Sequence, residues 1–262
     1  AINCGVILFY CIPFLPIFES HEITPHTLQW AAVINGFLML SMLFISMKLV
    51  PSKTGKKIHV KQNEANKFSF SIIIGNKPLL IFLSAHFLGG LAFGTFGAMF
   101  FIFVDNYLGL GASFASVMIF SLCAGLVSIK IWHLIATRIS KQLTWISGMV
   151  LISIGIFSLG VLQPNNASFP YLVAAYLVTT VGAAAINIVA PSVLSDIIDY
   201  SQWRFNANFS GSFFSLYTLV TKANFALGGS LGFFIAGWYG YDPIAAVHSP
   251  ESISGLRIAV AW

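Results

Sequence analysis

Charge is scarce in this chain. The 13 Lys and Arg and 8 Asp and Glu together make up only 8% of its 262 residues. Soluble domains carry about 25% charged residues, so that class is excluded. A hydrophobic share of 57% and a mean hydropathy of +0.86 assign the chain to the membrane. Carboxylates are scarcest where they would matter most: no Asp or Glu falls inside any apolar run. Cysteine is scant too, and Cys4, Cys11 and Cys123 lie in apolar runs without metal or redox spacing. Neither a disulfide framework nor a metal site is expected from them. No Ser-His-Asp, HExxH, P-loop or GxGxxG arrangement stands in a suitable setting, so neither an enzyme nor a cofactor is predicted. The first residues have no Met and no charged n-region, and Pro13 and Pro16 come too early for a cleavage site. They predict an internal piece of a longer chain that begins inside a helix.

What the chain has instead is apolar runs. Residues 1–18, 28–49, 78–104, 113–133, 144–162, 170–191 and 212–237 read as membrane helices, and Gly255–Trp262 begins an eighth. Basic residues fall on alternate connections. Segment 50–77 holds Lys53, Lys56, Lys57, Lys61, Lys67 and Lys77; Lys130, Arg138 and Lys141 surround 134–143; Arg204 lies in 192–211. The other connections carry Glu19, Glu22, Asp105, Asp242 and Glu251. By the positive-inside rule, 50–77, 134–143 and 192–211 are cytoplasmic. The net charge of +5 is therefore a topology signal, which removes nucleic acid as a partner. The lipid bilayer is the partner that remains, and the lysine-rich 50–77 reads as a joint between two helix bundles.

Within the run Gly211–Gly237 stands one lysine, Lys222. At about 1.5 Å per residue it lies roughly 15 Å along a helix starting near Ser212, close to the middle of a hydrocarbon layer about 30 Å thick. A charge there costs at least about 3 kcal/mol on insertion scales and belongs in a protein interior or a wet cavity. Ser215, Thr218, Lys222, Ala226 and Gly229 share its helical face. The alternative is an anchor at the inner interface. With no intramembrane carboxylate in the chain to pair with Lys222, either the solute or helices outside this sequence supply the anion.

Three further constellations stand out. Tyr176, Thr180, Ala183, Ala184 and Asn187 recur at helical spacing ahead of Pro191, which frees a backbone carbonyl one turn earlier. This suits a substrate-facing wall or an interhelical hydrogen bond. Asp196 and Asp199, followed by Tyr200 and Arg204, form a charged cluster at the inner end, read as a gate or structural ion pair. Gly90 and Gly94 make a small-xxx-small contact. His86, on the same span, has the chemistry of a proton relay or of a packed, hydrogen-bonded residue.

P-S-V-L-S-D-I-I-D-Y-S-Q-W-R (Pro191–Arg204), F-F-S-L-Y-T-L-V-T-K (Phe213–Lys222), A-L-G-G and G-Y-D-P (Gly240–Pro243) together resemble the glycoside–pentoside–hexuronide:cation symporters. This is the major-facilitator branch that includes the melibiose permease. F-I-F-V-D-N-Y-L-G (Phe101–Gly109) resembles the end of that family's seventh helix, and Gly255–Trp262 the start of its twelfth. The resemblance implies an all-α, polytopic membrane protein of two six-helix bundles. Residues 1–49 would be the last two helices of the first bundle and 50–77 the cytoplasmic loop between bundles. Residues 78–262 would be five helices and the start of a sixth in the second bundle. It implies a monomeric secondary transporter of the bacterial inner membrane, moving a sugar or glycoside with Na+ or H+. The cation's acidic ligands would sit on helices outside this chain, and no other cofactor is implied. Lys222, Asn187, Thr218, Thr180 and Tyr176 become substrate-binding candidates; Asp196, Asp199 and Arg204 become the gate. Asn187 stands where the melibiose permease has a cavity tryptophan, which argues against a galactoside specificity like that permease's. A lysolipid or amphiphile carrier of the same fold is the alternative.

Overall fold

A computed structural model describes residues 9–15, 24–49, 70–164, 169–206, 208–242 and 249–261. The described residues hold six helices long and apolar enough to cross a membrane. The segments 1–8 and 50–69, with most of the predicted basic joint, lie outside the described residues.

Local chemistry sets where each helix starts. Helix α1 (Pro25–Leu49) opens on a reciprocal pair: Thr27 N–H donates to the Thr24 hydroxyl and Thr24 N–H to the Thr27 hydroxyl. Pro25 occupies the first turn, where its missing N–H costs nothing. A short helix α2 (Phe70–Gly75) leads to Asn76, whose side chain accepts from Leu79 N–H at 3.1 Å and caps α3 (Lys77–Ile102). A five-residue π turn, Phe103–Tyr107, ends that span, and Gly109, at φ +68°, reverses the chain. Helix α4 (Phe114–Arg138) is joined to α5 (Lys141–Val161) by only Ile139 and Ser140, and the Ser140 hydroxyl caps α5. Then follow α6 (Phe169–Phe205), α7 (Ser210–Trp238) and α8 (Pro250–Ala261).

Three boundaries differ from expectation: the 134–143 connection narrows to Ile139 and Ser140, α8 starts at Pro250 rather than Gly255, and α6 overruns its predicted end. The connection predicted at 192–211 is helical through Phe205, because α6 continues past Pro191 to a total of 37 residues, about 55 Å. A proline removes one donor, yet the helix continues on either side of it. Asp196, Asp199 and Arg204 therefore stand on a helix that projects beyond the apolar layer, not on a loop.

Helices α3–α8 pack together, with α3 parallel to α7, and α6 parallel to α4 and antiparallel to α5. Close approach comes from glycine. A Cβ on Gly228 of α7 would sit 2.7 Å from both the Leu91 carbonyl and the Thr95 nitrogen of α3. Gly90 and Gly94 answer from α3, each placed under Asn224, so the predicted small-residue contact is present. The Trp132 indole N–H donates to Val181 O at 2.8 Å and ties α4 to α6. Arg257 of α8 donates from Nε to Gly160 O at 2.6 Å, at the carbonyl end of α5. This places its charge where a helix terminus favours a cation.

Large side chains gather in two cores. One lies toward the acidic end, around Phe100, Phe103, Phe114 and Leu172. The other lies toward the basic end, around Leu79, Phe82, Leu194 and Phe213. Between them the helices carry small residues such as Gly89, Gly90, Ala183 and Ala184, which leave space unfilled.

Candidate functional site

That space is a cavity of about 480 Å³, bounded by α3, α4, α5, α6 and α7. Its size is in the range of small-molecule sites. His86 lies nine residues into α3 and Thr221 eleven into α7, about 14 and 16 Å from the basic ends of those helices. The cavity therefore sits near the middle of a bilayer-thick layer. Among the described residues, no Asp, Glu, Lys or Arg lines it.

Two walls are polar. On α6, Tyr176, Thr180 and Asn187 all line the cavity. Tyr176 stacks on Phe100 with centroids 4.4 Å apart and planes 10° from parallel, which fixes its ring. The Thr180 hydroxyl donates back to Tyr176 O at 2.9 Å. Asn187 is exposed and makes no hydrogen bond among the described residues. Its main-chain carbonyl also lacks the usual helical donor, since that donor would be the N–H of residue 191, a proline. Asn187 thus offers the cavity an amide with both donors and acceptor free, and a carbonyl released from the helix.

The opposite wall belongs to α3 and α7. His86 Nε2 lies 3.0 Å from the Thr221 hydroxyl oxygen, and Asn224 Nδ2 donates to His86 O at 3.1 Å. The His86 ring is 4.7 Å from that of Tyr217 and edge-on to Trp145. Asn224 is 2% exposed, and its Oδ1 has no partner. Sequence reasoning passed over Tyr217, Thr221 and Asn224. Their i, i+4, i+7 spacing was a readable signal, but the lysine on the neighbouring stripe drew the weight.

Lys222 and Thr218 are elsewhere. Both are exposed on α7 and neither lines the cavity, although Thr221 and Phe225 on either side of Lys222 do. The Ser215 and Thr218 hydroxyls each donate to the carbonyl four residues back, so these side chains are satisfied within the helix. At the basic end the charged trio is not one cluster. Asp196 pairs with Lys141 of α5 at 2.6 Å, and Lys141 also reaches Ser192 O. Arg204 donates to the Tyr200 hydroxyl and lies over the Phe205 ring. Asp199 is exposed and makes no ion pair among the described residues.

A mid-depth cavity with polar walls in a helical membrane bundle is the geometry of a solute carrier, and a family model described as MFS/sugar transport protein matches residues 2–262. The chain belongs to the MFS/sugar transport protein family. It is an integral, multi-pass membrane protein of all-α architecture. Within the family it is 26% identical over 250 residues to the Escherichia coli K12 protein named "Putative sulfoquinovose importer". That match covers 94% of this chain and 51% of the relative. It is also 29% identical over 125 residues to the E. coli K12 glucuronide carrier protein homolog, across 47% of this chain and 26% of that one. The chain thus spans about half the length of its curated relatives. These relatives are named as transporters, not enzymes.

Proposed function

We propose that this chain forms part of a secondary active transporter that moves an acidic sugar or glycoside, coupled to Na+ or H+, by alternating access. The observation that carries the proposal is the mid-depth cavity whose α6 wall presents Tyr176, Thr180 and the unpaired Asn187. Rings stack on the apolar faces of a pyranose, and amides and hydroxyls pair with its hydroxyl groups. Sulfoquinovose and glucuronides, the solutes in the relatives' names, both carry an anionic group on a sugar. An anionic solute accounts for a chain that holds a mid-membrane lysine and no mid-membrane carboxylate.

In this reading Lys222 and Thr218 line a second stretch of the solute pathway, beside the cavity rather than in it. Residues 1–49 belong to the first bundle and 78–262 to the second, with 50–77 between them on the cytoplasmic side. The Lys141–Asp196 pair, with Asp199 and Arg204, closes the cytoplasmic end, and the full-length protein works as a monomer in the bacterial inner membrane.

The test is uptake by the full-length protein in vesicles, with labelled methyl glucuronide and sulfoquinovose as solutes and lysolipid as competitor. Lys222→Ala is expected to abolish uptake while the amount of protein in the membrane is unchanged. Wild-type uptake in that variant would remove Lys222 from the pathway, and inhibition by lysolipid alone would turn the reading to an amphiphile carrier.

A further inference from the structure

A coupling proton needs a group within reach of the solute whose occupancy changes during the cycle, and Lys222 does not line the cavity. Among the residues that line the cavity, the candidates reduce to one. Tyr176 and Tyr217 ionise only near pH 10 when unperturbed, and the remaining liners do not titrate. His86 is the exception.

Its hydrogen bonds determine which ring nitrogen is available. The Thr221 hydroxyl has a single proton, which it donates to Tyr217 O at 2.8 Å. Toward His86 that oxygen can then only accept, so Nε2 carries a hydrogen. In the neutral ring Nδ1 is the acceptor, and it has no partner among the described residues. It is also absent from the buried unpartnered atoms, so it is open, on a residue that lines the cavity. Two aromatic faces stand close to the ring. The Tyr217 ring is 4.7 Å away and the Phe82 ring lies parallel at 6.1 Å, within or near cation–π range.

The groups facing His86 carry no competing charge. From α7 come Tyr217 and Thr221, from α5 Trp145 and from α3 Phe82, and the α6 wall adds Tyr176 and Asn187. We infer that His86 is the proton-binding residue of the cavity, taking a proton on Nδ1 as an acidic sugar enters and forming the imidazolium that balances the solute's anion. Release of the sugar leaves the imidazolium uncompensated, and the same proton departs to water on the side where the cavity opens. One proton moves with one anion, and no other reactant is required. The inference rests on the acidic-sugar reading above and names its coupling ion.

The experiment measures proton uptake in weakly buffered solution with a pH-indicator dye. Methyl glucuronide or sulfoquinovose is added to the purified full-length protein in nanodiscs, and affinity is followed from pH 5 to 9. Wild type is expected to take up about one proton per sugar bound, with affinity falling roughly tenfold per pH unit above the titration of His86. His86→Gln should bind more weakly, release or take up no proton and show a flat pH profile. His86→Lys should restore affinity with an equally flat profile. An unchanged proton count or pH slope in His86→Gln overturns the inference.

Wild-type binding without proton uptake also overturns it while leaving the transport reading intact, whereas failure of wild type to bind either sugar overturns the acidic-sugar reading itself. Should the His86 variants not fold, Thr221→Val supplies a second test. Loss of the oxygen that accepts from Nε2 is expected to lower the midpoint of proton uptake by roughly half a pH unit or more. An unmoved midpoint counts against His86.

Discussion

At the scale of single residues, the contact between α3 and α7 depends on the absence of side chains. A Cβ on Gly228 would meet backbone atoms at 2.7 Å, and backbone in a packed helix cannot step aside as a flexible side chain can. Gly228→Leu is therefore expected to destabilise by about 1–3 kcal/mol or more, read as a lower unfolding temperature in detergent. Gly97→Ala, where nothing lies within 4 Å, should leave that temperature unchanged or slightly raised. Equal effects from the two would mean that α3 and α7 do not approach as closely as described. Asn224 belongs to the same contact: it covers Gly90, reaches His86 O and keeps one unpaired oxygen. A buried amide with an unused acceptor is costly in a hydrocarbon setting, which marks this contact as more than packing.

At the scale of the helix, α6 spans both the cavity and the basic end. It carries Tyr176, Thr180 and Asn187 along the cavity and continues unbroken to Asp196 and beyond. The weak point is Pro191, which leaves the Asn187 carbonyl without its helical donor. Pro191→Ala restores that bond. We expect thermal stability to rise by about 1 kcal/mol, and uptake to slow if the proposed transport cycle bends α6 at this point. Stability and uptake that both stay at wild-type values would show that the released carbonyl has no role. Elsewhere along α6 the fit to α5 is by glycine: Gly148 and Gly182 face each other's helix, where a Cβ would come within 3 Å of backbone. The lengths follow the same logic, since the α5 span of 21 residues just crosses an apolar layer and α6, at 37, must project from it.

At the scale of the whole molecule, the charged end contributes little to stability. Lys141 and Asp196 are 36% and 60% exposed, and pairs so open to water contribute about 0–1 kcal/mol. Asp196→Asn should therefore barely move the unfolding temperature. If the pair latches one conformation, the same change should alter uptake several-fold, and the exchanged pair Lys141→Asp with Asp196→Lys should restore it. A large loss of thermal stability, or no change in uptake, would reassign the pair to structure or to bystander. The Arg257 contact at the other end is different in kind: a guanidinium at 2.6 Å from a terminal carbonyl of α5 fastens α8 to the bundle.

Much of this was legible in the chain alone. Apolar runs bounded by Asn76, Ser140 and Gly109 define spans because capping and chain reversal are local chemistry, and scarce charge makes each basic residue a marker of sidedness. The face of Tyr176, Thr180 and Asn187 followed from helical periodicity, which needs no neighbour to compute. Tertiary structure decided what depends on neighbours. It turned the first part of the 192–211 connection, through Phe205, into helix, paired Asp196 with Lys141 and left Asp199 outside that pair. It also set Tyr217, Thr221 and Asn224, one step around α7 from Lys222, onto the cavity wall with His86. Periodicity says which residues share a stripe. Only the packing of one helix on another says which stripe is covered, which is left open and which meets a partner.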